Sequence, residues 1–236
     1  MAWGGSALFA ASLVWFVYCY LVRFDTLAGA SAVPTEAGAF LRPAAADALL
    51  FSAFALHHSV FARTRAKSYV RMLVPEHLER SFYTWVASIL FVLVCTYWQP
   101  VPGTLYRLEG IWRPIGYAVQ LLGLILTVRA SQKLDVLDLS GVRTVQRAQL
   151  GTAPAHVPLE TTGLYGFVRH PLYLAWAVFV FGAPDMTGSR AVFAVVSTAY
   201  LALAIPWEER ALVVTFGDEY HAYRRRVRWR MLPGIY

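Results

Sequence analysis

Long apolar runs separated by short polar connections set the pattern of the chain. These runs, free or nearly free of charge, cover residues 3–22, 48–62, 81–101, 114–128, 171–184 and 191–207. A membrane-spanning helix needs about 20 mostly apolar residues, so the first and third runs suffice alone and the others need polar neighbours. The run 171–184 is the weakest, and it either crosses with help from residues 164–168 or forms half of a tight hairpin with the next run. The pattern predicts an all-α fold, a multi-pass integral membrane helical bundle with five or six apolar segments.

The pattern changes after the last apolar run, where aromatic and basic positions follow a helical spacing. Gly217 and Asp218 predict the end of one helix and the N-cap of the next. That next helix places Tyr220, Tyr223 and Val227 on one face. Arginines occupy most of the remaining surface, which predicts a C-terminal interfacial amphipathic helix with a basic outer face. These arginines are Arg224, Arg225, Arg226, Arg228 and Arg230.

Composition and charge agree with a membrane protein. The 236 residues are 58% hydrophobic and 15% charged, with a mean hydropathy of +0.48, too apolar for an ordinary soluble domain. A single membrane-embedded domain over residues 1–236 is the simplest prediction. Of the 21 Lys and Arg residues, 16 lie in the connections 62–80, 129–170 and 207–236, so these connections are expected on the cytoplasmic side. If six segments cross the membrane, both termini are expected on that side too. The net charge of +7 then suits anionic lipid rather than nucleic acid, and no obligate protein partner is evident.

Ionisable residues stand directly before the fifth apolar run. Pro171 lacks a backbone donor and disfavours helical geometry at His170, so Arg169 and His170 are expected in an extended turn at a helix start. Their side chains, with the free N–H groups of the first helical turn, would converge on an anion such as a carboxylate. The alternative is that Arg169 only extends to phosphate headgroups.

Aromatic and acidic residues accompany this turn. Tyr173 and Trp176 are three residues apart and share a helix face, where they form either an interfacial aromatic belt or the wall of a pocket for a flat, cationic ligand. Glu208 and Glu209 follow the last apolar run, and they either bind an ammonium group or ribose hydroxyls or serve only as acids at a helix start. No G-x-G-x-x-G motif follows a strand pattern, so a soluble dinucleotide-binding fold is not predicted.

Four strings in the sequence resemble a known superfamily. GLYGFVRHPLYLAW (163–176) and EERALVVTFGDEYHAYRRRVRWRMLP (208–233) resemble the C-terminal signature of the isoprenylcysteine carboxyl methyltransferase superfamily. FALHHSVFARTRAKSYVRMLVPEHLERSFY (54–83) and DLSGVR (138–143) resemble its bacterial branch of methanethiol S-methyltransferases and NnrU-like proteins. The resemblance spans most of the chain, and it departs at Ser140, where that branch has phenylalanine.

The resemblance implies a small multi-pass membrane enzyme that binds S-adenosylmethionine without a Rossmann domain, through the signature at 163–233. This cofactor carries a carboxylate, an ammonium, a sulfonium and an adenine, so its pocket needs cations, acidic or carbonyl acceptors and aromatic walls. The cofactor-binding residues expected from the two motifs are Arg169, His170, Pro171, Tyr173, Trp176, Glu208, Glu209, Tyr220, Tyr223 and Arg224.

Candidate catalytic residues come from the other two strings. A histidine pair inside an apolar run is costly without a partner, so His57 or His58 is expected to act as a general base or to orient one. The alternative is a buried histidine hydrogen-bonded to Tyr83 or to a backbone carbonyl. Neighbours on a helix point about 100° apart, which leaves one of the two facing a pocket, and we favour His58. Asp138 and Arg143 either shape the substrate entrance, close over the cofactor, or form a local ion pair.

The sequence thus predicts a methyltransferase that uses S-adenosylmethionine to methylate a small thiol, with methanethiol to dimethyl sulfide as the first choice. Three alternatives remain: carboxyl methylation of a lipidated substrate, reduction with NADPH, and a non-catalytic NnrU-like membrane protein. No metal site is predicted, because the histidine spacing matches no familiar ligand set. The expected location is the bacterial inner membrane, with the cofactor site on the cytoplasmic side.

Overall fold

The computed structural model describes residues 1–29, 37–61, 72, 74–134, 136–152 and 158–236. Its regular structure is almost entirely helical, which confirms the all-α prediction. The α-helices are α1 Ala2–Tyr18, α2 Phe24–Gly29, α3 Ala37–Phe61, α4 Glu79–Tyr97, α5 Trp112–Ser131, α6 Val136–Leu139, α7 Val142–Leu150, α8 Pro171–Phe181, α9 Gly188–Phe216 and α10 Asp218–Arg226. A π-helical turn, Cys19–Arg23, joins α1 to α2, and 3-10 turns occupy Glu76–Leu78 and Gly163–Gly166. Strands β1 Thr104–Arg107 and β2 Asp185–Thr187 form a two-stranded sheet.

Among the residues that the structure describes, five helical segments are long and apolar enough to cross a membrane, which confirms the multi-pass prediction. They are Ala2–Thr26, Gly38–Phe61, Glu76–Tyr97, Trp112–Ser131 and Gly188–Phe216. Residues 48–61 of the second apolar run belong to α3, which starts at Ala37 and holds Pro43 inside it, so this span is longer than its apolar core. The weak run 171–184 forms α8, whose 11 residues rise only about 16 Å.

The chain forms two compact units, which we describe in turn. The first comprises Met1–Leu105, Asp135–Ala155 and Thr187–Val192, and the second comprises Tyr106–Leu134, His156–Met186 and Phe193–Tyr236. The single-domain organisation stays a prediction.

In the first unit, α4 packs against α1 and α3. Gly4 and Gly5 face the ring of Trp85, and a Cβ at Gly4 would approach that ring to 2.9 Å. The indole N–H of Trp85 donates to the Met1 carbonyl at 3.0 Å. Small residues at this contact bring α1 and α4 close together, as in other membrane helix pairs.

In the second unit, α5 and α8 run antiparallel with their backbones nearly in contact. A Cβ added at Gly123 would lie 2.6 Å from the Phe179 nitrogen, and one at Gly116 would lie 2.9 Å from the Pro184 side chain. The amide of Gln120 donates to the Phe179 carbonyl at 3.4 Å. Glycine is required at such distances, and the contact stabilises the helix pair through van der Waals attraction.

A break before α8 places irregular backbone beside α5. The turn Gly163–Gly166 contacts α5 as α8 does, so residues 163–181 follow α5 as an interrupted helix. The hydroxyl of Tyr106 satisfies the other end of α8, donating to the Phe181 and Ala183 carbonyls at 3.2 and 3.1 Å. Interrupted helices in membrane proteins leave polar backbone groups and a helix start at the position of a ligand. The predicted Arg169–His170 motif occupies this interruption.

Candidate functional site

The interruption holds Arg169 and His170 outside the helix, as Pro171 predicts. His170 is the N-cap of α8, with φ −123° and ψ 67°, and Pro171 begins the first turn. The backbone N–H groups of Arg169 and His170 donate to the carbonyls of Trp229 and Arg230 at 3.0 and 2.7 Å. The segment after α10 therefore lies along this turn.

The Arg169 side chain is buried and binds three acceptors. Its Nε donates to Glu209 Oε1 at 2.6 Å, and its Nη1 donates to the carbonyls of Val227 and Arg228 at 2.7 and 2.8 Å. Only 6% of the side chain is exposed. This burial excludes the alternative in which Arg169 extends to phosphate headgroups. Its hydrogen bonds instead link the turn to α9 and to the C-terminal segment.

The Glu209 carboxylate is the centre of a buried cluster of positive charge. Its Oε2 lies 3.5 Å from Arg230 Nε and 3.9 Å from Arg224 Nε. Its Oε1 lies 3.7 Å from His170 Nε2, beyond hydrogen-bond distance. Three arginines, Arg169, Arg224 and Arg230, thus surround one carboxylate, and a charge this deeply buried requires such compensation. We call this group the Glu209 cluster.

Glu208 lies at the exposed rim of the Glu209 cluster. Its side chain is 41% exposed and lies 3.5 Å from His170 Nδ1. The Tyr173 hydroxyl donates to its Oε1. The rings of His170 and Tyr173 stack with centroids 5.4 Å apart. The structure therefore brings these predicted residues together and leaves an acidic acceptor open to solvent.

Two buried polar atoms in the cluster lack a hydrogen bond in the part of the chain that the structure describes. They are His170 Nε2 and the Tyr220 hydroxyl. Burial, and next the charge of Glu209, raises the pKa of Tyr220, so its hydroxyl keeps the proton. Leaving such a group unsatisfied costs about 1–3 kcal/mol, which a polar ligand would recover. Both atoms lie near Glu209, which is where a polar ligand could bind them.

Two further predicted residues make contacts to the protein itself. The Tyr223 hydroxyl donates to the Tyr165 carbonyl at 2.7 Å, and its ring lies 5.7 Å from that of Tyr220. The Trp176 indole donates to Ser197 Oγ on α9 at 2.9 Å. Tyr223 therefore joins the cluster through Tyr220, and the Trp176 N–H is directed to α9. Their roles in cofactor binding stay predictions.

The sequence analysis missed Arg230 and Tyr236 as site residues. Arg230 Nη1 donates to the Tyr236 hydroxyl at 3.0 Å, and that hydroxyl donates to the Ala202 carbonyl at 3.2 Å. Pro206 explains the second bond, because it lacks the N–H that would have bonded the carbonyl four residues earlier. Tyr236 thus satisfies the proline break in α9 and holds Arg230 beside Glu209.

The reason for missing them is that α10 ends at Arg226, earlier than predicted. Val227 is extended, with φ −106° and ψ 101°. Val227 and Met231 are both buried, and residues four apart share a face in a helix and also in a strand. Spacing alone therefore could not distinguish a helix from an extended chain. The hydrogen bonds to the backbone of Arg169 and His170 determine which of the two forms. Pro233, which cannot continue a helix, was the available signal.

The histidine pair lies in the first unit, on α3. His58 Nδ1 is 2.7 Å from the Tyr83 hydroxyl, which also lies 3.5 Å from the His58 carbonyl. His57 Nδ1 is buried without a hydrogen bond in the described part of the chain. Its ring packs on Phe61 and Tyr83, with centroids 4.6 and 6.0 Å away. The expected contact to Tyr83 is present, and the catalytic role of the pair stays a prediction.

Asp138 belongs to a second cluster of arginines and a carboxylate, in the first unit. It pairs with Arg80 Nη1 at 2.5 Å and Arg147 Nη1 at 2.9 Å. Arg143 is exposed on α7. Ser140, at the position where the resemblance departs, is buried and accepts a hydrogen bond at 2.7 Å. A role of this connection at the substrate entrance stays a prediction.

The Glu209 cluster combines groups that suit a small zwitterion. Arg224 and Arg230 are 39% and 31% exposed and can donate hydrogen bonds to a carboxylate, and Glu208 can accept them from an ammonium group. Tyr173 supplies an aromatic face beside Glu208. Within the residues that the structure describes, no group of three or more His, Cys, Asp or Glu could hold a metal ion.

Comparison with curated proteins finds methyltransferases. The chain is 36% identical over 181 residues to methanethiol S-methyltransferase 2 of Bradyrhizobium diazoefficiens, covering 76% of this chain and 69% of the relative. It is 29% identical over 227 residues to methanethiol S-methyltransferase of Mycobacterium tuberculosis, covering 94% and 92%. Protein-S-isoprenylcysteine O-methyltransferase of Schizosaccharomyces pombe is 30% identical over 120 residues, covering 45% and 51%. No family model matches the chain, and no solved structure matches it significantly.

The helical membrane fold, with its polar cluster at an interrupted helix, is thus that of a membrane-embedded methyltransferase. The chain belongs to the methanethiol S-methyltransferase family, within the isoprenylcysteine carboxyl methyltransferase superfamily. This confirms the resemblance read from the motifs and the prediction of an enzyme. Such an enzyme requires a methyl donor.

Proposed function

We propose that the protein transfers a methyl group from S-adenosylmethionine to the sulfur of a small thiol, with methanethiol as the first candidate acceptor and dimethyl sulfide as its product. The names of its relatives support the acceptor. The Glu209 cluster carries the assignment of the donor, because cations, a half-exposed carboxylate and two unsatisfied polar atoms meet there.

The chemistry of this cluster fits the amino-acid end of the donor. Arg224 and Arg230 would hold its carboxylate, and Glu208 would hold its ammonium group. The donors of Arg169 are engaged by Glu209 and two carbonyls, so we assign Arg169 a positioning role. His170 Nε2 and the Tyr220 hydroxyl would gain the partners that they lack.

The reaction itself is favoured by an environment of low polarity. When bound, S-adenosylmethionine supplies a methyl group attached to a positively charged sulfur. A thiol with a pKa of about 8.5 is only a few per cent ionised at neutral pH, so the acceptor must lose a proton. As the new sulfur–carbon bond forms and the carbon–sulfur bond of the donor breaks, both charges disappear. Apolar surroundings, which solvate separated charges poorly, therefore lower the barrier.

We propose His58 as the base that takes the thiol proton. A neutral histidine accepts a proton at only one ring nitrogen. If Nδ1–H donates to the Tyr83 oxygen at 2.7 Å, the Tyr83 hydroxyl can donate to the His58 carbonyl at 3.5 Å. In that tautomer Nε2 is the ring nitrogen that accepts a proton, so the contact with Tyr83 would favour the form in which His58 can act as a base.

We further propose that the site faces the cytoplasm of a bacterial inner membrane. Sixteen of the 21 Lys and Arg residues lie in 62–80, 129–170 and 207–236, and these ranges include Arg169 and Arg224 of the proposed site. The product is small and apolar, so it can leave through lipid.

The proposed activity is tested with purified protein, methyl-labelled S-adenosylmethionine and methanethiol, by measuring labelled dimethyl sulfide in the headspace. Wild type is expected to produce it, and Glu208→Gln is expected to lower kcat/KM by about 10- to 100-fold through loss of a charged acceptor. Glu219→Gln removes an exposed acid in the first turn of α10 and is the matched control. An unaffected Glu208→Gln variant would contradict the cofactor assignment.

The same assay separates the second candidate function. The isoprenylcysteine O-methyltransferase relative supports carboxyl methylation of a lipidated substrate. A prenylated cysteine is added as a competing acceptor. Label in its methyl ester, with none in the headspace, would select carboxyl methylation over thiol methylation.

A further inference from the structure

A basic and aromatic surface on the C-terminal segment is not used by the proposed reaction. Phe167 and Trp229 are 58% and 39% exposed. Arg225 and Arg228, which are near Trp229 in sequence, are also exposed. The Arg169 N–H bonds the Trp229 carbonyl, so the chain around Phe167 runs next to the chain around Trp229. We call these four side chains the C-terminal surface.

The path of the chain after α10 places the C-terminal surface at a membrane boundary. The apolar run of α9 ends at Trp207, and α9 continues to Phe216 before α10 begins at Asp218. The segment after α10 then returns to Arg169 and His170, directly before the apolar run 171–184, so the C-terminal surface lies where apolar sequence gives way to ionisable groups. Exposed aromatic rings and arginines at this level are typical of contact with headgroups.

The charge distribution on α10 favours an anionic partner. The acids Asp218 and Glu219 occupy its first turn, and Arg224, Arg225 and Arg226 occupy its last. The nine residues of α10 separate these ends by about 12 Å, more than a Debye length at physiological salt. The end that carries the C-terminal surface is therefore positive, and it continues into Arg228.

The backbone of the same segment also builds the Glu209 cluster. The carbonyls of Val227 and Arg228 accept from Arg169 Nη1, and those of Trp229 and Arg230 accept from the turn. Arg228 thus points its side chain outward while its carbonyl binds the buried arginine. A contact that restrains the outward side chains restrains the groups that form the cofactor site.

We propose that the C-terminal surface docks onto anionic phospholipid headgroups and that this docking tightens the site for the methyl donor. The regulatory part rests on the proposed function. Contact with lipid orders the segment before the donor binds. The donor then loses less of its binding free energy to ordering the segment, so it binds more tightly on an anionic membrane.

Docking is tested without the donor, by hydrogen exchange of the backbone amides of residues 218–231 in lipid nanodiscs. Phosphatidylcholine alone is compared with a mixture of phosphatidylcholine and phosphatidylglycerol, whose anionic headgroups attract each nearby arginine by about 1 kcal/mol. Wild type is expected to exchange more slowly on the anionic discs, and 0.5 M NaCl is expected to abolish the difference. Equal exchange on both discs would overturn the docking proposal, whatever the enzyme methylates.

Coupling is tested by equilibrium binding of labelled S-adenosylmethionine on the same discs. Wild type is expected to bind at least about fivefold more tightly on the anionic discs, and R225Q/R228Q is expected to lose this difference while keeping the affinity seen on phosphatidylcholine. R42Q/R107Q, which removes one exposed arginine from α3 and one from β1, is the control for the loss of two positive charges and is expected to keep it. Slower exchange with unchanged affinity would overturn the coupling. Absence of binding on every disc would instead contradict the proposed function.

Discussion

Two clusters of arginines around a carboxylate differ mainly in burial. In the Glu209 cluster, Arg169 and Glu209 have side chains 6% and 4% exposed. In the Asp138 cluster, Arg80 and Asp138 are 41% and 17% exposed, and Arg147 is 24% exposed. Exposed pairs contribute about 0–1 kcal/mol because water and salt screen them, whereas breaking a buried pair costs about 3–5 kcal/mol. The same residue types therefore have unequal importance in the two units.

The comparison also separates a structural cluster from a candidate site. Each arginine of the Asp138 cluster binds a carboxylate that water can reach, and such a pair needs no further explanation. The Glu209 cluster buries the Arg169–Glu209 pair in a position where apolar residues would often stabilise the fold equally well. A buried charge pair beside the unsatisfied His170 and Tyr220 atoms is therefore a candidate functional site.

The largest predicted effect is on Arg169. Arg169→Ala leaves Glu209 with less compensation and removes the donors to Val227 and Arg228, so the free energy of unfolding should fall by about 3–5 kcal/mol. Arg147→Ala, its counterpart in the Asp138 cluster, should cost no more than about 1 kcal/mol. Unfolding in mixed detergent micelles measures both. Equal losses would refute the distinction drawn from burial.

A double substitution sharpens the same distinction. Arg169→Met with Glu209→Leu removes the buried pair together, and apolar replacement of such pairs is often neutral or stabilising by about 1–4 kcal/mol. We expect the double variant to recover most of the stability lost in Arg169→Ala without recovering S-adenosylmethionine binding. Recovery of binding would show that the donor does not need Glu209 and its charge partners.

Alkaline pH should weaken the second unit through its buried tyrosines. Burial, with the Glu160 charge as a smaller cause, raises the pKa of Tyr165 to about 12, and burial also raises the pKa of Tyr220 and Tyr223. The folded protein therefore keeps protons that the unfolded chain loses above about pH 10. Stability contributed by these groups is complete below pH 10 and declines as the pH rises toward 12. Unfolding measured from pH 8 to 11 should show this decline, and Tyr223→Phe should make it shallower. A decline of equal slope in that variant would contradict the assignment.

The smallest predicted effect is that of salt. Raising NaCl from 0.1 to 1 M shortens the Debye length from about 10 to 3 Å and screens exposed charges far more than buried ones. The cost of Arg147→Ala should therefore shrink by a few tenths of a kcal/mol, while that of Arg169→Ala stays the same. Unfolding at the two salt concentrations checks this. A larger salt effect on Arg169→Ala would show that water reaches its cluster.

Local chemistry made part of the structure predictable from sequence. The apolar runs indicated the membrane helices, because length and composition alone decide whether a segment can span. Pro171 indicated the turn at Arg169 and His170, because its effect on the preceding residue is steric and local. The acidic pair Glu208–Glu209 was expected in the same site as Arg169, and the structure brings them together, although the ion pair between Arg169 and Glu209 was not predicted.

The remaining features depend on contacts between distant residues. Arg230 enters the site because the chain becomes extended at Val227, and this conformation is set by carbonyls that bond to Arg169 and His170, about 60 residues earlier. Arg169 was expected to bind an anion directly, and its engagement by carbonyls could not be inferred before that path was known. The spacing of hydrophobic residues indicates which side chains share a face of a helix or strand, and it gives no information on such backbone partners.

The bond from Tyr236 to the carbonyl of Ala202 has a consequence for protease treatment. It joins residues 34 apart and encloses the exposed Gly217 between them. Cleavage at Gly217 would leave the released fragment held through Tyr236, Met231 and the backbone beside Arg169. We therefore expect a nicked enzyme to migrate as one particle under native conditions and to separate into two pieces only in denaturant.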